Sequence, residues 1–274
     1  MLDRCAVPLH PLPVRLLTVR LLAVLWTLTW WVFPGFGLVD LSVTWDAGWP
    51  VVLEASWGVF MTVLVGGGFL AIAVRPRRAA AAVVTLAITL GALLVCAVAG
   101  LEPQVLGYAA VLTVETAALL VLLRPWREPL CPVLGRPSLP LVVAAGAGVV
   151  PWLAHAGAVF AANRRGAGES IGDVTNGVDH YAVQGALALA LVALPALAAL
   201  WPRGRRHLGV AAGLAAAYVG LVSFAFPDSW AGFSPTWSAL CTAWGLAVTA
   251  LALVPPRLEL GELGGEVVEA ERAL

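Results

Sequence analysis

Lysine is absent, and all 16 basic side chains are arginine. A Schiff-base lysine is therefore impossible, which excludes a retinal protein of the usual kind. Charge of either sign is scarce: only 12% of residues are charged and the formal net charge is zero. A soluble domain carries about twice that charged fraction. The arginines stand in clusters of two or three without aromatic interleaving, so nothing points to a nucleic-acid partner. The four cysteines, Cys5, Cys96, Cys131 and Cys241, form no CxxC or other metal-type spacing. No HExxH, GxSxG or intramembrane Asp pair occurs. The Gly66–Gly68 trio lacks the context of a phosphate loop. The four histidines, His10, His155, His180 and His207, make no repeated same-depth pairs, which argues against a two-haem electron carrier.

What is present is apolar. Hydrophobic residues make up 61% of the chain and the mean hydropathy is +0.91. The apolar runs approach 20 residues, the length a helix rising about 1.5 Å per residue needs to cross the hydrocarbon core. A transmembrane barrel would instead show alternating segments of about ten residues. The pattern predicts an all-α polytopic protein of the cell membrane, with the lipid bilayer as its surroundings. Its eight spans are expected near 16–33, 51–74, 79–100, 105–123, 138–160, 181–201, 208–226 and 236–254. Residues 1–15 read as a short cytoplasmic lead, 16–254 as one transmembrane domain and 255–274 as an acidic cytoplasmic tail. The bulky end `WTLTWWVFPGFG` marks the first run as a retained helix rather than a cleaved signal.

All arginines except Arg164 and Arg165 fall on the side of the N-terminus, the even-numbered connections and the tail. By the positive-inside bias, both termini are expected to be cytoplasmic. The odd-numbered connections, 35–50, 101–104, 161–180 and 227–235, then face outward and carry seven acids. Cys5 and Cys131 fall on the reducing side, while Cys96 and Cys241 read as two separate buried thiols. Leu41, Trp45 and Trp49 recur every four residues and suggest a short interfacial helix. Trp30, Trp31, Trp45, Trp49, Trp230 and Trp237 fit an outer aromatic belt, with Trp57 and Trp244 reaching inward. The stretches `SVTWDAGWPVVLE` and `GDVTNGVDHYAVQ` place Glu54 and Gln184 at similar depth, and both following helices end in arginine clusters. This suggests a parallel 4+4 internal repeat with halves 16–123 and 138–254.

Ionisable groups inside a bilayer are costly and mark candidate sites. Glu54 lies just inside the second span, with Trp57 at i+3 and Gly58 and Met61 on the same face. Glu115 lies near mid-span on a face with Tyr108 and Leu112, where it must be hydrogen-bonded, protonated or open to water. His155 lies one turn from Trp152 and beside Pro151. His180 and Gln184 lie one turn apart at the start of the sixth span, with Asp179 adjacent. His155, His180 and Asp179 offer nitrogen and oxygen ligands that could hold a divalent metal. The structural alternatives are an interhelical hydrogen bond for His155, a solvated headgroup position for His180, a helix cap for Asp179 and a helix-to-helix bond for Gln184.

The leading functional expectation is a transporter of a small solute or ion, with proton coupling through Glu54 and Glu115. A membrane-embedded enzyme acting on a lipid or hydrophobic substrate through an outward His/carboxylate site is the alternative, and a non-catalytic scaffold or receptor the third class. An internal cavity passing Glu115 favours transport. A lateral opening at His155 favours lipid chemistry, and a dry, tightly packed bundle favours a scaffold.

Overall fold

The computed structural model describes residues 12–124, 132–168 and 174–254. Cys5, Cys131, Glu169, Asp173 and the acidic tail lie outside the described residues.

Among the described residues, eight helices long and apolar enough to span a membrane follow one another. The first is Leu12–Trp31, the second Val51–Val74, the third Ala80–Ala99 and the fourth Val105–Leu123. The fifth is Leu139–Asn163, the sixth His180–Leu200, the seventh Arg205–Ala225 and the eighth Pro235–Leu253. Helices are the solution because each satisfies its own backbone where water is absent. The chain is a multi-pass membrane protein.

The helix starts follow local chemistry. Proline occupies the first turn of the fifth and eighth spans, where its missing N–H costs nothing. Asp179 caps the sixth, its Oδ1 accepting the Tyr181 N–H at 2.8 Å. At the opposite end of the bundle, Arg15 donates from Nε to the Leu122 carbonyl and from Nη2 to the Val121 carbonyl, both at 2.8 Å. A cation there also complements the negative end of the fourth helix.

The second, sixth and seventh spans form the interior, with 72%, 67% and 67% of their apolar windows buried against 22% for the first and eighth. The sixth and seventh pack against each other, and Ala186, Ala190, Ala212 and Ala216 on them are fully buried. Small side chains let backbones close where no hydrophobic effect drives helices together. The second span packs on both the sixth and the seventh, and the third on the sixth.

Two departures from the sequence expectation bear on the site. The short helix of the 35–50 segment is Gly37–Val43, so Trp45 and Trp49 follow it rather than line it. The 163–180 segment contains a two-stranded hairpin, Val174–Thr175 paired antiparallel with Val178–Asp179. Its turn is Asn176–Gly177, with φ of 50° and 81°. Two successive positive φ values suit an Asn-Gly hairpin turn. The Asn176 amide donates to the Tyr108 hydroxyl at 2.9 Å and to the Pro34 carbonyl at 3.3 Å. The hairpin is thereby fastened over the entrance between the first and fourth spans.

Candidate functional site

The site begins with a close helix contact. The short helix Gly37–Val43 lies against the second span, and Gly58 makes this approach possible. A Cβ at Gly58 would stand 2.8 Å from Leu41 Cγ and 2.9 Å from the Gly37 carbonyl. The contact carries Asp40 from what reads as an outer loop to a position 7% exposed.

Asp40 there meets Glu54 from the second span and His180 from the first turn of the sixth. One ligating atom from each, two carboxylate oxygens and one imidazole nitrogen, lie within 4.8 Å of one another, and all three residues are buried. His180 Nδ1 stands 3.9 Å from Glu54 Oε2. The imidazole is backed by Trp57, whose ring centroid is 4.6 Å away. Trp57 is itself fixed by an Nε1–H bond to the Gly35 carbonyl at 2.8 Å. One turn below His180, Gln184 donates to the Ser56 hydroxyl at 3.2 Å, joining the sixth span to the second. Its Oε1 is buried and accepts no bond among the described residues.

Two carboxylates this close in a low-dielectric interior repel unless a proton or a cation lies between them. Oxygen–oxygen–nitrogen sets of this type bind Zn²⁺, Mn²⁺ or Fe²⁺. They are too few in oxygen for Ca²⁺ and lack the sulfur preferred by Cu⁺. Zinc with ligands at about 2.0–2.2 Å needs donor atoms roughly 3.5 Å apart, so a cluster whose atoms lie within 4.8 Å of one another would contract by up to about 1.3 Å around an ion.

The other carboxylate lies deeper. Glu115 is 6% exposed, and its Oε2 accepts the Trp30 Nε1–H at 2.6 Å. Trp30 is therefore a buried hydrogen-bond donor rather than a belt residue, as is Trp31, which is partly buried and donates to the Thr62 carbonyl at 2.9 Å. Trp45, Trp49, Trp230 and Trp237 are more than half exposed, as a belt requires. Ring contacts connect the two carboxylate positions: His180 to Trp57, Trp57 to Tyr108 at 5.5 Å and Tyr108 to Trp30 at 6.0 Å. A cavity of about 300 Å³ opens beside Trp30 and Tyr108.

Of the sequence candidates, the structure brings together Glu54, His180 and, one turn on, Gln184. Glu115 joins them only through the aromatic rings. Asp179 neighbours His180 as the helix cap. His155 is elsewhere, facing a groove between the fifth and eighth spans. Sequence reasoning missed Asp40. Its one signal is an acid embedded in the apolar run `GLVDLSV`, where a solvated loop would have more polar neighbours. Cys96 and Cys241 are separate thiols, donating to the carbonyls of Ala182 and Ala216.

A second feature of the same span is mechanical. Below Glu54, residues Phe60–Gly66 form a π-helix before the α-helix resumes at Gly67. Such widened turns are rare and concentrate at functional positions.

No protein-family model, curated protein or solved structure matches this chain.

Proposed function

We propose that this chain is a membrane transporter of a divalent transition-metal cation, with Asp40, Glu54 and His180 as its binding site. The observation that carries the reading is the convergence of two carboxylates and an imidazole within 4.8 Å inside a membrane bundle. Burying such groups is expensive, and a cation is the ligand that reverses the cost.

Three further features support transport rather than static binding. A rim cavity of about 470 Å³, bordered by Trp49, Val51, Asp228 and Ser229, opens at the amino end of the second span, one turn above Glu54. The π-helical turn lies in the span that carries Glu54, where a change of helical register would move the carboxylate relative to His180. Glu115 supplies a buried carboxylate outside the cluster, suited to carry a proton in exchange for the cation.

The test is uptake of Zn²⁺ or Mn²⁺ into liposomes containing the purified protein and an entrapped indicator. Uptake should saturate, and both Asp40→Asn and Glu54→Gln should reduce it at least tenfold at unchanged protein content. Elemental analysis of the wild type should find about one bound ion per chain. Bound metal without flux would move the assignment to a metal-dependent membrane enzyme, since three ligands leave an open coordination position. Undiminished flux in Glu54→Gln would end the reading.

A further inference from the structure

A groove of about 540 Å³ opens laterally between the fifth and eighth spans, on residues other than those of the cation cluster. Its walls are aromatic. Trp152 stands 6.0 Å from Trp244 and 6.1 Å from Phe233 between ring centroids, and Trp237 completes the lining. Gly148 permits this shape, because a Cβ there would lie 2.6 Å from Trp244 Cζ2. The indole of Trp244 is held by an Nε1–H bond to the Ala144 carbonyl at 2.7 Å.

Among these apolar walls stand the Cys241 thiol, which donates to the Ala216 carbonyl, and His155, packed edge-on against Phe233 at 4.7 Å. Its Nε2 is buried with no hydrogen-bond partner among the described residues. A second polar group lies about two turns away on the same helix. Pro151 has no N–H, so the Ala147 carbonyl loses its regular helical donor, and both residues line the groove. An acyl chain satisfies neither group. The lining has no Asp, Glu or Arg, so the groove suits a neutral molecule.

We propose that this groove binds the hydroxylated aromatic head of a membrane-soluble amphiphile, a phenol or quinol. A hydroxyl both donates and accepts, so it can bond the His155 imidazole whichever of its nitrogens carries the proton. A flat ring packs against the tryptophans in the edge-to-face and offset arrangements that aromatic pairs prefer. This site stands independently of the cation reading.

The test uses purified protein in phosphatidylcholine nanodiscs and two heavy-atom quenchers of tryptophan fluorescence, 4-bromophenol and bromobenzene. Saturable quenching by 4-bromophenol is expected, with bromobenzene at least tenfold weaker. His155→Leu should weaken 4-bromophenol at least tenfold while bromobenzene is unchanged. Ala158→Phe fills the groove while retaining the histidine and should abolish saturable quenching by both, which keeps the proposal testable if the histidine variant does not fold. Equal affinity for the two quenchers would overturn the proposal by showing an apolar crevice only. Unchanged 4-bromophenol binding in a folded His155→Leu or Ala158→Phe protein would overturn it equally.

Discussion

Single side chains here carry either a charge into the bundle or the bond that makes it tolerable. Glu115 is tolerated in part through Trp30, so removing the indole donor should be costly. Trp30→Phe leaves a buried acceptor unsatisfied and should destabilise the protein by about 1–3 kcal/mol. The check is a lower melting temperature of the purified protein, with part of the loss recovered when Glu115→Leu is added. An unchanged melting temperature in Trp30→Phe would show that the 2.6 Å contact is energetically idle. Asp179 provides a contrasting case. Its carboxylate caps the sixth span, so Asp179→Ala should cost about 1 kcal/mol, yet bound metal should stay near the wild-type ratio. Loss of metal with intact stability would instead make Asp179 a ligand.

At the scale of elements, the site depends on how the short helix Gly37–Val43 lies on the second span. Gly58→Leu should push that helix outward and carry Asp40 from its partners. Zn²⁺ affinity should fall at least tenfold, measured by competition with a chromophoric chelator, while the eight spans stay folded. Retained affinity would mean that Asp40 is dispensable. The π-helical turn invites a second experiment. Deleting Val63 should let Phe60–Gly66 close into an ordinary α-helix with little net rotation of Glu54, because a π turn holds one residue more than the α turn that replaces it, and the span then has no widened turn left to shift. Flux should be lost, whereas wild-type flux would deprive the π turn of any role in transport.

For the molecule as a whole, the expectation still to be measured is its orientation. The arginine bias predicts that the cluster and the rim cavity open toward the outside. On a cysteine-free background in intact cells, Asp46→Cys should react with a membrane-impermeant maleimide. Arg78→Cys should react only after permeabilisation, and the reverse pattern would place the cation site at the cytoplasmic face.

The spans were legible in the sequence because the bilayer imposes one length and one polarity on every crossing segment. The second and fourth match their expected limits, and the others deviate by a few residues at an end. The candidate site was legible in part. Glu54, Glu115, His155, His180 and Gln184 stood out because charge or hydrogen-bonding capacity inside an apolar helix is conspicuous. The sequence by itself determined the helical class, the membrane setting and where along each span its polar residues fall, all properties of a segment on its own. Tertiary structure alone decided which residues meet. Asp40 joins Glu54 because Gly58 admits a neighbouring helix, and Trp30 turns from an interface position to Glu115. His155 is directed to a separate groove. Those outcomes depend on the rotation and contact of helices far apart in the chain, which hydropathy along one helix does not encode.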